Sequence, residues 1–261
     1  MNNSVYLASK PRYEILDGLR GVASILVVLF HIFETYSTSA ADQIINHGYL
    51  AVDFFFVLSG FVVGYAYDDR WSKMTTWGFF KRRLVRLQPM VIMGTLIGAC
   101  LFYLGQDGFP LIGQTGGWKF LLVTLMGCCM IPCGMGMDIR GWGETNPLNG
   151  PNWSLTYEYI ANILYALVIR RFSTWLLTIF VALLTLDLCL NLNVFGLLTP
   201  ERDSKMFTVI GGWSLTPEQI YIGFTRLLYP FFCGLLISRI GKYIKVRRGF
   251  WWCSFALIVL F

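Results

Sequence analysis

Residues 49–67 read YLAVDFFFVLSGFVVGYAY, an apolar stretch in which Asp53 is the one charged side chain. As a helix it is about 28 Å long, close to the roughly 30 Å hydrocarbon core of a bilayer. It lacks the two-residue alternation of a barrel strand, so a helix is the form that satisfies its backbone in lipid. Working outward, comparable runs recur at 19–36, 89–104, 119–133, 154–169, 175–198 and 221–240, and another opens at Phe250. The expected fold is all-α: a polytopic transmembrane helical bundle of about seven or eight spans. The final run, 250–261, is well short of the roughly 20 residues needed to cross, so the last span is expected to be incomplete. Residues 1–261 read as a single transmembrane domain with no repeat or low-complexity linker.

Composition supports this class and excludes others. Of the 261 residues, 56% are hydrophobic and 14% charged, and mean hydropathy is +0.58. A soluble domain usually carries about 25% charged residues, so a soluble globular chain is excluded. The net charge of +6 is not read as a nucleic-acid footprint, because the basic residues sit in short segments between apolar runs. Seven cysteines lie in or beside apolar stretches, and their odd number argues against a disulfide framework. Cys128, Cys129 and Cys133 have no nearby histidine or paired CxxC, so no metal site is expected. Ser39-Ala40-Ala41 only weakly resembles a signal-peptidase site, and the first run is read as a retained helix.

Orientation follows from the basic clusters at Lys10 and Arg12, 70–86, Arg170 and Arg171, and 239–248. Each is expected on the cytoplasmic side, which puts the N-terminus in the cytoplasm and the multi-pass chain in the cytoplasmic membrane. Between the second and third clusters lie three runs, an odd number that would place them on opposite faces. The run 119–133 is short, contains Gly127 and precedes Pro132 and a glycine-rich loop. It is therefore expected to be re-entrant or only partly inserted.

Chemistry concentrates in a few charged positions. Arg20 and His31 are eleven residues apart, so they return to within about 20° of one helix face and lie roughly 16 Å apart along it. Asp17 can reach Arg20 and Glu34 can reach His31, each at a spacing of three. A neutral imidazole can take a proton from a hydroxyl, and a neighbouring carboxylate fixes its tautomer; a packing role across helices is the alternative. Asp53 needs a partner or an interfacial position, and Ser59 and Gly60 read as a packing notch. Arg83 and Arg86 sit three apart and can grip phosphates, or else mark a topology-setting cluster beside anionic lipid. Glu158 follows Pro151-Asn152-Trp153-Ser154 as a third acid, with placement near a helix N-terminus as its plainer reading. Arg226 is a further charge in an apolar run that needs a buried partner or an interfacial position.

Taken together, the Arg20/His31 spacing, Asp53 with the following FFFVLSGF, the Arg83/Arg86 pair, and WSL with Glu158 resemble the membrane acyltransferase-3 family, over roughly residues 13–248. The resemblance implies an integral membrane O-acyltransferase. An acetyl or other short acyl group would pass from a cytoplasmic thioester, acetyl-CoA or a related acyl-CoA, to a hydroxyl of a carbohydrate, lipid-linked or other envelope acceptor. It makes His31 the catalytic histidine with Arg20 as its companion, places Arg83 and Arg86 at the donor-binding face, makes Glu158 a functional acid of the catalytic set, and lends weight to Asp53, as a further catalytic acid, and to Arg226. Acyl-CoA would be a co-substrate, with no permanently bound cofactor. The resemblance also implies final helices that this chain lacks. Two other readings remain: a proton-linked transporter or flippase, since a titratable stripe also suits a carrier, and a truncated, inactive acyltransferase remnant.

Overall fold

The computed structural model describes residues 10–38, 42–105, 111–197 and 208–261. Ser39-Ala40-Ala41 and Leu198, the end of the sixth expected span, lie outside the described residues. The fold is helical, with 71% helix and no strand among the described residues. In chain order the α-helices are α1 (Glu14–Tyr36), α2 (Leu50–Tyr67), α3 (Thr76–Leu104), α4 (Gly117–Cys128), α5 (Asn152–Leu167), α6 (Thr174–Asn191), α7 (Pro217–Ile240) and α8 (Gly249–Leu260). Among the described residues, five helices are long and apolar enough by length and composition to cross a membrane: α1, α2 with its 3₁₀ extension to Lys73, α3, α6 and α7. The polytopic bundle stands, with α4 and α8 at 12 residues and α5 at 16 residues below the length of a full span.

Two boundaries differ from the sequence reading in an instructive way. The third run does not begin at Pro89: α3 starts at Thr76, where the Thr75 hydroxyl accepts the Gly78 N–H at 3.0 Å and caps the helix. Pro89 is carried inside, so Arg83 and Arg86 belong to the same continuous helix as the apolar segment beyond them. The suspect run 119–133 is a helix only to Cys128, about 18 Å long, after which Met130 turns the chain at φ 57. A helix of that length is shorter than the roughly 30 Å hydrocarbon core.

The chain forms two compact units. One comprises residues 1–73, 172–183 and 228–261; the other comprises 74–171 and 184–227, so α6 and α7 each contribute residues to both. In the first unit, α1 buries Leu19, Ala23 and Leu26, a stripe at spacings of four and three. Leu19 and Leu26 form a core with Leu257 of α8, against which Phe54 of α2 packs. The approach of α2 to α7 depends on absent side chains. A Cβ on Gly60 would lie 1.8 Å from the Phe231 carbonyl oxygen, and one on Gly234 would lie 2.0 Å from that of Val57. The notch anticipated at Gly60 is thus half of a reciprocal contact, the kind that lets helices associate where no hydrophobic force separates lipid from protein. At the end of α7, Arg239 donates to Asp68 at 2.6 Å and to the Phe172 carbonyl at 2.7 Å, tying three segments of this unit together.

In the second unit, α3 packs antiparallel to α5. Phe79 meets Tyr165 at 5.7 Å between ring centroids, Tyr159 donates to Gln88 at 3.1 Å, and Asn152 donates to Thr95 at 3.4 Å. The connection between α4 and α5 is folded rather than slack. Asp138 accepts backbone N–H groups from Arg140, Gly141 and Gly143, while Ile139, Cys133 and Leu148 bury into a core with Ala99 and Phe102 of α3. Burial holds the Arg140 guanidinium below its ordinary pKa, offset in part by Glu144 and Asp138.

Candidate active site

The residues singled out from the sequence fall into two groups. Arg20, His31 and Asp53 belong to the first unit; Arg83, Arg86, Glu158 and Arg226 belong to the second.

On α1, both local pairs expected from the spacing are formed. Arg20 Nη1 lies 3.1 Å from Asp17 Oδ1, and His31 Nδ1 lies 2.9 Å from Glu34 Oε2. An ionised carboxylate can only accept, so Glu34 selects the tautomer with the proton on Nδ1 and leaves the Nε2 lone pair available as a base. The imidazole is 54% exposed and Glu34 is 56% exposed, whereas the Arg20 side chain is 32% exposed. A general base inside a helical membrane bundle is expected to be covered by neighbouring helices. The described structure instead packs α1 through the adjacent stripe, Leu19, Ala23 and Leu26, and leaves the histidine stripe on the surface of its unit. Asp53 is half-buried in the first turn of α2. His47, in the loop before α2, is exposed.

In the second unit, Arg83 donates through Nη2 to Glu158 Oε1, joining α3 to α5 across 75 positions of sequence. Arg83 is 2% exposed and Glu158 14%. Sequence reasoning had named both residues but not their pairing, since spacing carries no information at that separation. It had also set Arg83 and Arg86 together as two forks on one face. The structure turns Arg83 inward to Glu158 and leaves Arg86 exposed, because a step of three residues rotates about 60° short of a full turn.

The surroundings of this pair were not anticipated. Asn162 donates to the Glu158 carbonyl at 2.6 Å. Gln88 accepts from the Tyr159 hydroxyl and donates to the Cys128 carbonyl, which meets one of the acceptors left open at the end of α4. A lone Gln in an apolar stretch of α3 was the available signal. Arg226 is 2% exposed; it donates to the Gly211 carbonyl at 3.1 Å and lies 5.3 Å from the Trp153 ring centroid, the buried partnership its position required. Also unanticipated is Asp187 on α6, which accepts from Tyr221 at 2.9 Å and from Thr225 at 3.4 Å. Among the described residues no cluster of three metal-ligating side chains occurs.

The first unit thus carries a histidine paired to a carboxylate on α1, and the second an arginine paired to a carboxylate between α3 and α5. The family profile described as an acyltransferase domain, acyltransferase 3, matches residues 13–261. The chain belongs to the acyltransferase-3 family. Its enzyme class is accordingly that of an O-acyltransferase.

Among relatives, this acyltransferase-3 chain is 35% identical over 165 residues to "Protein 2 in picA locus" of Rhizobium radiobacter, covering 59% of the chain and 81% of that protein. It is 29% identical to "Acyltransferase MdmB" of Streptomyces mycarofaciens, over 61% of the chain and 40% of that protein. It is 37% identical to "O-acetyltransferase OatA" of Staphylococcus aureus, over 31% of the chain and 13% of that protein. The matched region thus spans less than half the length of the last two relatives. No solved structure matches the chain.

Proposed function

We propose that this acyltransferase-3 protein moves an acetyl or other short acyl group from a cytoplasmic acyl-CoA, with acetyl-CoA as the donor, to a hydroxyl of a carbohydrate or other envelope acceptor. The relative named an O-acetyltransferase supports acetyl as the group and a hydroxyl as its destination. The observation that carries the reading is the His31 Nδ1–Glu34 Oε2 contact at 2.9 Å, since it leaves Nε2 free to act.

In this reading Nε2 of His31 removes the proton of the acceptor hydroxyl as its oxygen attacks the thioester carbonyl. The C–S bond breaks, the ester C–O bond forms, and the proton held by the imidazole passes to the departing thiolate, so that ester and free thiol leave with charge and atoms balanced. Glu34 stabilises the imidazolium between those steps. Arg20 is the companion cation, and Arg83 with Arg86 receives the donor phosphates. Asp53 serves as a secondary acid. Holding donor and acceptor in register then contributes most of the acceleration. The positive-inside distribution supports a cytoplasmic N-terminus and residence in the cytoplasmic membrane.

The test is transfer of labelled acetyl from acetyl-CoA to envelope glycans by the chain reconstituted in nanodiscs. Appearance of label in a hydroxylamine-sensitive ester is the expected result. Thiol release without any acylated product, or flux of the acceptor without chemistry, would count against it.

A further inference from the structure

Burying two charges costs more than their attraction commonly returns, and an apolar pair of similar volume often packs as well. Near the Arg83–Glu158 pair, Phe79 and Tyr165 also meet across the α3–α5 seam through their aromatic rings. Association of the two helices therefore does not explain why an arginine and a glutamate are kept there.

A guanidinium fork binds carboxylate and phosphate through the same N–H groups. A phosphate reaching Arg83 must compete with the carboxylate already on it. Arg86, one turn along α3 and exposed, offers a guanidinium open to an arriving anion. The backbone around Glu158 is anchored without its carboxylate, because Asn162 holds the Glu158 carbonyl and Tyr159 holds Gln88. The Tyr159–Gln88 and Asn152–Thr95 hydrogen bonds join α3 to α5 independently of that carboxylate.

We propose that Glu158 is a positioning residue that occupies Arg83 in place of the donor phosphate, so that donor binding is an exchange of phosphate for carboxylate. This rests on the reading that Arg83 and Arg86 receive the donor. No covalent bond changes in the exchange. When an internal competitor holds the binding-competent group most of the time, apparent affinity falls by the fraction of time that group is free. Glu158 thus sets how tightly the donor is held and how readily the spent thiol departs.

The experiment is titration calorimetry of the full chain in nanodiscs with coenzyme A as the probe. The variants are Glu158→Gln, Glu158→Asp and Arg83→Gln, with size-exclusion profiles to match folded fractions. Glu158→Gln should bind coenzyme A about tenfold more tightly than wild type, as expected if Arg83 is free about a tenth of the time. Glu158→Asp, which keeps the charge on a shorter arm, should tighten binding by a smaller factor, and Arg83→Gln should lose it. A purely structural pair predicts the opposite sign, since breaking it loosens the site. If wild type binds coenzyme A and neither Glu158 variant binds it more tightly, the exchange is wrong and the donor reading stands. If folded wild type binds none, the donor reading fails and the exchange falls with it.

Discussion

The α1 stripe of the first unit and the α3–α5 seam of the second use the same chemistry, a cation against a carboxylate, under opposite conditions. Asp17–Arg20 and His31–Glu34 are made within one helical turn and stay open at the surface of their unit. Arg83–Glu158 is made between two helices and is almost wholly covered. The open pairs leave their charges accessible and contribute little to stability; in the covered pair, removing one partner leaves the other charge buried without it, at a larger cost.

That contrast is broken most directly at His31. His31→Ala should lower acyl transfer by about 10²–10⁴-fold, the usual contribution of a general base, while membrane insertion and folded yield stay at the wild-type level. An alanine variant with unimpaired labelled-acetyl transfer removes the base from α1. On the covered side, Arg83→Ala should cost about 3–5 kcal/mol, because it leaves Glu158 buried without its guanidinium. Thermal unfolding followed by size exclusion measures this, and the double variant Arg83→Met/Glu158→Leu should recover most of the loss. A double variant no better than the single one would mean that the pair is not the source of the cost.

A third variant probes packing alone. Gly60→Ala should destabilise the first unit by about 1–3 kcal/mol, since its Cβ would press on the Phe231 carbonyl and force α2 away from α7. Gly21→Ala, where a Cβ meets nothing within 4 Å, is the matched control, and equal effects at both positions would discount the close approach. The smallest effect is expected for Asp17→Asn, where an exposed i,i+3 pair is worth about 0–1 kcal/mol. A melting-temperature loss comparable to that of Arg83→Ala would erase the distinction between the open and covered pairs.

The parts of the site that could be read in advance are those separated by a turn or less. The Asp17–Arg20 and His31–Glu34 pairs follow from a spacing of three, and Gly60 as a packing notch follows from a small residue in an apolar run. What escaped was everything that needed two distant segments: Arg83 with Glu158, Gln88 between Tyr159 and the Cys128 carbonyl, and Asp187 with Tyr221 and Thr225. The exposure of His31 also escaped, because the apolar and polar residues of α1 form adjoining stripes and periodicity does not say which of them the neighbouring helices cover.

By itself, the amino-acid sequence determined that this protein is a helical membrane chain, that its apolar helices would be found near these positions, and which side chains carry charge into them. Hydrocarbon length, helical rise and the cost of an unsatisfied backbone act on each segment separately, so those properties are local. Only the tertiary structure decided which charge meets which, that α3 begins at a threonine cap well before Pro89, and that one arginine of the pair turns inward while the other stays out. Those outcomes depend on which helix faces come together, and a contact made across 75 positions leaves no periodic trace in the chain that makes it.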